Sequence, residues 1–398
     1  MCKYYSEMGN YNFDQIIDRK NTDSLKFGVL KERFGRDDLI PLWVADMDFQ
    51  SPKELVDAMV ERSKNGIFGY PYVSNEYYQS ICNWQWKQHQ WKVSKEEISY
   101  LPGVVKGIAF AIDVFSEKGD QIIIQPPVYH PFRIITQLHD REVVTNPLLL
   151  EGDQYRMDFE GLEKLMTTKC KILLLSNPHN PGGRVWSRDE LKKLAEICYK
   201  NKVLVISDEI HSDLVLFGNK HVPFATVSEE AELNSITLSA PSKTFNIAGL
   251  VTSYSIIKNK NLRELYHKYL VSNELNQGSI FAYLAIQIAY EKGEEWMNQL
   301  KKYIEENTKY VDQFLKSNCS KIKVIIPEAS FLIWLDCREL KLSQKELNSF
   351  FIEKARLALN DGAMFGKEGT GFMRMNVGCP RSVLEVALKQ LSDAVSQL

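Results

Sequence analysis

The chain has 398 residues, of which 44% are hydrophobic, and its 49 basic and 51 acidic residues leave a formal net charge of -2. This length suits two domains with large packed cores, and the balanced charge argues against nucleic acid as a partner. With no apolar signal-peptide core and no run of about 18 apolar residues, we expect a cytoplasmic protein without a membrane span. Seven cysteines without a CxxC pair favour reduced thiols over disulfides or a zinc site.

The middle of the chain alternates apolar runs with helical patterns, whereas the residues before about 50 contain no such unit. The runs are QIIIQ at 121–125, KILLLS at 171–176, VLVIS at 203–207 and SITLS at 235–239. Their continuous hydrophobicity is typical of strands that are buried on both faces. A helix predicted at 187–202 begins with a capping box of Ser187 and Glu190. These features predict a largely parallel sheet with helical crossovers.

From about residue 290 the pattern changes to a smaller α+β arrangement. A long charged helix leads to KIKVIIPEASFLIWLD, a helix near 343–360, the strand FMRMNV and a closing helix from Ser382. The segment before residue 50 is expected to pack against this region. We therefore predict a large domain at 50–288 and a small domain formed by 1–49 together with 289–398.

Polar segments follow three of the predicted strands, namely NPHNPGG, DEIHSD and APSK. Ligands of open α/β sheets bind at the carboxyl ends of the strands, so the three segments are expected to meet in one crevice. A fourth segment, LPGVVKGIAFAIDVF, starts a helix whose first turn, near Gly103, Val104 and Val105, could present free amides to an anion.

The chemistry of this crevice is restricted by what the sequence lacks. Neither GxGxxG nor GxxxxGK[ST] is present, which argues against nicotinamide cofactors and nucleoside triphosphates. The acidic and histidine residues of DEIHSD have no HExxH-like spacing, so no metal site is predicted. Pyridoxal 5'-phosphate (PLP) suits the crevice, because its aldehyde needs an amine, its ring nitrogen a carboxylate and its phenolic oxygen a donor. Lys243, Asp208 and Asn177 can supply these groups.

Several segments carry a resemblance to a known family. SNPHNPGGRVW, ISDEIHSDLV, SAPSKTFNIAGL and FMRMNVGCPRS resemble fold-type I PLP enzymes of the class I/II aminotransferase superfamily. Together with the opening LIPLWVADMDF, they are similar to the MalY/PatB branch of cysteine-S-conjugate (cystathionine) β-lyases. The resemblance implies a mostly parallel sheet flanked by helices, a smaller α+β domain and a homodimer. It also implies α,β-elimination on an L-cysteine thioether, which yields a thiol, pyruvate and ammonia.

The resemblance assigns roles to single residues. Lys243 would bind the cofactor as a Schiff base and remove the Cα proton, Asp208 would pair with the ring nitrogen, and Asn177 would bind the phenolic oxygen. Arg374 would bind the substrate α-carboxylate, with Ala45 as a further substrate contact. The remaining cofactor contacts would be Val104, Val105, Tyr129, His211, Ser239, Ser242 and, across the dimer interface, Tyr70. The chain departs from the aminotransferase pattern at Val251 and His211, where an arginine and a tyrosine are usual.

Other interpretations remain open from the residues alone. An aminotransferase could use the same cofactor site, because fold and cofactor do not fix the reaction type. A binding or regulatory protein could also retain the scaffold without turnover. At the level of single residues, Lys243 could be a salt-bridged lysine, Asn177 part of an ordinary Asn-Pro turn and Tyr129 a core residue.

Overall fold

A large sheet provides most of the framework. The computed structural model of the protein describes residues 11–398. The strands of this sheet are β2 (Ile98–Leu101), β3 (Gln121–Ile124), β4 (Glu142–Thr145), β7 (Cys170–Ser176), β8 (Leu204–Asp208), β9 (Ser235–Ser239) and β10 (Ser253–Ile256). Their order is β2-β10-β9-β8-β7-β3-β4, and the pairs from β9 to β4 are parallel. The predicted, largely parallel sheet is confirmed, and β10 runs antiparallel to both of its neighbours.

Smaller sheets contain the other strands. A four-stranded antiparallel sheet has the order β11-β12-β15-β14. Its strands are β11 (Lys323–Ile325), β12 (Leu332–Asp336), β14 (Asn360–Asp361) and β15 (Phe372–Asn376). Two further pairs are β1 (Ile40–Pro41) with β13 (Leu357–Ala358), and β5 (Leu149–Glu151) with β6 (Gln154–Arg156).

Helices cover both faces of the large sheet, and one long helix packs on β11 of the smaller sheet. They are α1 (Leu25–Gly28), α2 (Leu30–Phe34), α3 (Lys53–Lys64), α4 (Asn75–His89), α5 (Val104–Phe115), α6 (Pro131–Leu138), α7 (Phe159–Leu165), α8 (Arg188–Lys200), α9 (Glu229–Leu233), α10 (Lys260–Ser272), α11 (Ile280–Lys292), α12 (Glu294–Asn318), α13 (Gln344–Ser349) and α14 (Arg381–Val395). The capping box at the start of α8 is confirmed. Within residues 11–398, no helix has the length and apolar character needed to cross a bilayer.

The helix predicted near 343–360 is wrong in length. Helix α13 ends at Ser349, and a π-helical turn follows over Phe350–Lys354. Arg356 then adopts a left-handed backbone (φ 56°) that ends the helical path. The next residues form β13 and pair with β1 near the start of the chain. Helical periodicity cannot reveal this, because the partner strand lies more than 300 residues away in the sequence.

The core confirms that the central strands are buried on both faces. Along β7, Ile172 and Leu174 pack in the cluster that contains apolar residues of α5, while Leu173 and Leu175 pack with those of α8. This alternation follows from the two-residue period of a strand. The large sheet therefore has no solvated face at its centre, and its polar groups concentrate at the strand ends.

The N-terminal segment lies against the four-stranded sheet. The backbone amide of Asn376 donates to the carbonyl of Leu42, and that of Asp48 donates to the carbonyl of Gly378, both at 2.9 Å. Helices α3 and α4 instead pack on α11. The division into a domain at 50–288 and one at 1–49 plus 289–398 stays a prediction, and residues 1–10 of it lie outside the described residues.

Gly362→Ala should destabilise the protein through a backbone clash. A Cβ atom at Gly362 would lie 2.2 Å from the carbonyl oxygen of Gly369 and 2.3 Å from that of Phe372. We expect the free energy of unfolding to fall by about 1–3 kcal/mol, measured by urea denaturation. Gly249→Ala is the matched control, because nothing lies within 4 Å of its Cβ position. Equal stability of the two variants would contradict this account of the turn at Gly362.

Candidate active site

Lys243 lies in the turn that follows β9, half-buried, with its amine directed at the N-terminal segment. Its Nζ donates a hydrogen bond of 2.7 Å to the carbonyl of Ala45. Burial and the nearby charge of Arg374 lower the pKa of Lys243 to about 8, while Asp46 and Asp208 act in the opposite direction. A substantial fraction of this amine is therefore neutral near physiological pH and available as a nucleophile or base.

Asp208 is the last residue of β8 and is buried. Burial raises its pKa to about 7, although a hydrogen bond of 3.2 Å from the Ile210 amide and the charge of Lys243 favour the ionised form. Buried carboxylates are unfavourable unless a cation or several donors surround them. The site therefore suits a ligand that brings a protonated nitrogen to Asp208.

Arg374 lies on β15 and is a buried cation held by neutral groups. Its Nη1 donates to Oδ1 of Asn180 at 3.0 Å, and its Nη2 donates to Oδ1 of Asn360 at 2.6 Å and to the carbonyl of Trp43 at 3.3 Å. The guanidinium lies 4.9 Å from the ring centre of Phe365. Among the residues that the structure describes, no carboxylate forms an ion pair with Arg374, and its Nε has no hydrogen-bond partner. A carboxylate ligand would supply the missing counter-ion.

Tyr129 and His211 complete the group around these charges. Burial raises the pKa of Tyr129; Asp208 raises it further and Arg374 lowers it, so the hydroxyl lies near both charges. Burial lowers the pKa of His211 to about 3, assisted by Lys243 and Arg374. The imidazole is therefore neutral. The structure thus brings together five residues that the sequence analysis selected, from four separate segments of the chain.

The two asparagines of NPHNPGG have different environments. The amide of Asn177, the residue selected from the sequence, donates to the carbonyl of Val222 at 3.1 Å and lies 3.4 Å from Glu209. Asn180, which the sequence analysis did not select, bonds to Arg374. Asn180 therefore lies against Arg374 at the crevice, whereas the donor group of Asn177 is directed at Val222 and Glu209, and the cofactor role of Asn177 stays a prediction. The second Asn-Pro pair of the motif was the available signal.

The predicted phosphate contacts occupy a helix start and a strand end. Val104 and Val105 are the first residues of α5, which has no side-chain cap at its N-cap residue, Gly103 (φ 125°). Ser239 ends β9, and Ser242 lies in the turn of Lys243; both are buried. Helix α5 packs on β9 and β10. Uncapped amides at a helix start, together with two hydroxyls, can bind an anion.

The two remaining predicted residues differ in position. Ala45 contributes its carbonyl to Lys243. Tyr70 is 101% exposed and makes none of the crevice contacts described above. Within residues 11–398, no group of three or more His, Cys, Asp or Glu side chains could hold a metal ion.

A second aspartate of the DEIHSD segment has the opposite environment to Asp208. Asp213 accepts hydrogen bonds from Trp84 at 3.0 Å, from Thr244 at 3.0 Å and from His89 at 3.2 Å. Burial alone would raise the pKa of Asp213, but these partners hold it below its usual value. Because Thr244 follows Lys243, Asp213 fixes the turn that carries the lysine.

Asp208→Asn should stabilise the cofactor-free protein at pH 8. The carboxyl of Asp208 has a pKa of about 7 in the folded state, against 3.8 ordinarily. Folding therefore binds a proton between these values, and stability falls as the pH rises through this range. Because asparagine removes the buried charge, the free energy of unfolding at pH 8 should rise by about 1 kcal/mol or more, as measured by urea denaturation.

Asp213→Asn is the matched control and should have the opposite effect. The lowered pKa of Asp213 contributes stability above the unfolded pKa of about 4, which is lost as the pH falls through the folded value. The variant should lose about 1–3 kcal/mol at pH 8. A loss of stability in both variants would contradict the claim that the buried charge of Asp208 weakens the folded state.

Comparisons with known proteins agree with this geometry. A family model for aminotransferase class I and II matches residues 37–391. Cystathionine beta-lyase PatB of Bacillus subtilis is 43% identical over 97% of this chain and 100% of its own length. Cystalysin of Treponema denticola, solved with pyridoxal 5'-phosphate, superimposes with a TM-score of 0.95 at 35% identity, covering 98% of this chain and 100% of its own. The PLP-bound C-S lyase of Staphylococcus hominis gives 0.90 at 33% identity, over 97% and 98%. With Lys243, Asp208 and Arg374 in one crevice, the chain belongs to the class I and II aminotransferase family.

Proposed function

We propose that the protein is a PLP-dependent C-S β-lyase that converts L-cystathionine or a related cysteine thioether to a thiol, pyruvate and ammonia. The observation that carries the proposal is the amine of Lys243, which is hydrogen-bonded to the carbonyl of Ala45 and lies within reach of the charges of Asp208 and Arg374. The relatives described above, which are named cystathionine beta-lyase and C-S lyase, support this reaction over others of the same family.

The described residues fit the cofactor. Asp208 is a buried carboxyl whose pKa is raised to about 7, so a protonated ring nitrogen would offset the energetic cost of burying its charge. Lys243 would offer its amine to the aldehyde, and Asn180, whose Oδ1 accepts from Arg374, would offer its Nδ2 group to the phenolic oxygen. When bound, the cofactor withdraws electrons from the substrate Cα. The other groups available to hold it are the aromatic face of Tyr129, the imidazole of His211, the hydroxyls of Ser239 and Ser242, and the amides of Val104 and Val105.

Arg374 would bind the α-carboxylate of the substrate. Its two Nη atoms are oriented by the amide oxygens of Asn180 and Asn360, so the guanidinium is fixed before a ligand arrives. Burial lowers its pKa to about 10, which leaves it cationic at neutral pH. A bidentate contact with a carboxylate would both orient the substrate and neutralise this charge.

Lys243 would take the Cα proton. Its neutral form is accessible because burial and Arg374 lower its pKa, and the carbonyl of Ala45 accepts a hydrogen bond from the protonated amine. Once the Cα proton is removed, the bond from Cβ to sulfur breaks and a thiolate departs. The remaining 2-aminoacrylate hydrolyses in water to pyruvate and ammonia. His211, neutral and buried, adds no further positive charge next to the amine.

A cavity beside the crevice is available to the part of the substrate beyond the sulfur. It has a volume of about 300 Å³. Its polar lining comes from Tyr129, His130, Arg133, Thr145, Lys367 and Glu368. The walls also contain apolar residues such as Val128 and Phe365, so both a thioether stem and a charged end can be accommodated.

The reaction is tested by a mass balance on cystathionine. Equal amounts of pyruvate, ammonia and homocysteine should form without any added keto acid, because elimination consumes no second substrate. Turnover that requires a keto acid, with accumulation of the aminated cofactor, would make the protein an aminotransferase instead.

Lys243→Ala should abolish this turnover, to below about 1% of wild type, because the same nitrogen holds the cofactor and moves the proton. Circular dichroism and the thermal unfolding midpoint should show a folded protein. Lys260→Ala, at an exposed lysine that pairs with Glu264, is the control and should retain full activity. Residual cleavage by the Lys243 variant at several per cent of wild type would contradict its role.

We also propose a cytoplasmic homodimer in which Tyr70 completes the neighbouring subunit's cofactor site. Tyr70 is 101% exposed, and Ile67, Phe68 and Tyr72 next to it are also exposed. Apolar surface of this kind commonly marks an interface, and twofold dimers are the commonest oligomers. Cytoplasmic location is supported by the described cysteines, which are all free thiols.

Mixed dimers test whether Tyr70 acts across the interface. Sedimentation should show a dimer, and Tyr70→Phe should weaken cofactor binding without changing assembly. A mixed dimer combines one Lys243→Ala chain with one Tyr70→Phe chain. The site of the Tyr70→Phe chain then has its own Lys243 and receives Tyr70 from the Lys243→Ala chain, whereas the other site lacks both residues. The mixed dimer should therefore show half the wild-type activity, and its intact site should bind the cofactor with wild-type affinity. An active monomer would contradict the proposal. So would a mixed dimer whose intact site binds the cofactor no more tightly than the Tyr70→Phe homodimer does.

A further inference from the structure

A short N-terminal segment, residues 43–48, contacts both cations of the crevice. The carbonyl of Trp43 accepts from Arg374 at 3.3 Å and that of Ala45 accepts from Lys243 at 2.7 Å. The carbonyls of Val44 and Asp46, which alternate with these two along the segment, have a different partner. Both accept a hydrogen bond from Nδ2 of Asn376, each at 2.6 Å.

The far end of segment 43–48 is held by hydrogen bonds with two polar side chains, Asn246 and Lys26. Asn246 accepts from the amide of Met47 at 2.9 Å and donates to the carbonyls of Met47 and Phe49. Lys26 is fully buried and donates to Asp48 at 2.6 Å. The segment is thus fixed at both of its ends, and its carbonyls have definite directions.

We propose that Asn376 is a positioning residue that controls the protonation of Lys243 through the carbonyl of Ala45. Its amide brackets that carbonyl, because it donates to the residues on either side of Ala45. The orientation of the amide is fixed in turn, since its Oδ1 accepts from the Gly378 amide at 2.7 Å. The inference rests on the proposed role of Lys243 as the cofactor-bearing amine, and it is independent of the elimination reaction.

The direction of the effect follows from the charges that face Lys243. Burial and Arg374 lower the pKa of Lys243, whereas Asp46 and Asp208 raise it, and the imidazole of His211 is neutral. The Ala45 carbonyl accepts from the ammonium and therefore favours the charged form. Asp46 belongs to the same segment, so displacement of the segment weakens two stabilising contacts at once. Loss of the Asn376 bridge should therefore lower the pKa of Lys243.

The experiment measures how fast Lys243 of the cofactor-free protein captures added pyridoxal 5'-phosphate between pH 6 and pH 10. The adduct is trapped with borohydride and the modified peptide is quantified by mass spectrometry. Only the unprotonated amine reacts, and the titrations of Asp208 and of the cofactor are common to all variants, so a displacement of the midpoint between variants reports a change in the protonation of Lys243. In Asn376→Ser we expect this midpoint to move to lower pH by about one pH unit, the effect of one lost hydrogen bond to a charged group.

Asn307→Ser is the matched control. Nδ2 of Asn307 also bridges two carbonyls, those of Val377 and Cys379, at 2.9 Å each, and it is buried. It makes no hydrogen bond to segment 43–48, so its variant should lose a similar amount of thermal stability and keep the wild-type midpoint. An unchanged midpoint in Asn376→Ser, or the same displacement in both variants, would overturn the inference.

A second variant acts at the other end of segment 43–48. Asn246 has a left-handed backbone (φ 56°), which glycine adopts without strain, so Asn246→Gly removes the side-chain bonds alone. It should displace the midpoint in the same direction, and it decides the question if Asn376→Ser does not fold. Failure of the wild-type protein to capture the cofactor at Lys243 would overturn the cofactor role and this inference together. Normal capture without cleavage of cystathionine would overturn only the proposed reaction.

Discussion

The burial of two cations in one crevice is the constraint on which the rest of the site depends. Burial and the nearby charge of Arg374 lower the pKa of Lys243 to about 8, and burial lowers the pKa of Arg374 to about 10. Neutral dipoles hold them, chiefly the carbonyls of Ala45 and Trp43 and the amide oxygen of Asn180. Such a site has an excess of positive charge, which a carboxylate substrate and an anionic cofactor both reduce.

The two cations come from different sheets, and this separation gives segment 43–48 its importance. Lys243 follows β9 of the large sheet, whereas Arg374 lies on β15 of the four-stranded sheet. Segment 43–48 forms hydrogen bonds with both cations. The residues just before it form β1, which pairs with β13. A carboxylate that bound Arg374 would compete with the Trp43 carbonyl for Nη2. Substrate recognition and the state of the lysine therefore share one stretch of backbone.

The sequence allowed the strand ends to be predicted better than the side chains beyond them. Long apolar runs define where β7, β8 and β9 stop, and parallel strands bring those ends to one edge, so Lys243 and Asp208 could be located. The choice between Asn177 and Asn180 could not be made in this way, because it depends on the carbonyl of Val222, which captures the first amide. The contacts of Trp43 and Asn360 with Arg374 depend likewise on partners distant in sequence.

Asp208 and Asp213 show that the crevice is not optimised for the stability of the empty protein. They are five residues apart on one strand-end segment and both are buried, yet only Asp213 is surrounded by donors. Selection for stability alone would surround or replace Asp208, since a buried carboxyl with few partners weakens the folded state. Its retention beside Lys243 indicates a ligand that brings its own positive nitrogen. A local conflict with folding of this kind is expected where function, rather than packing, determines the residue.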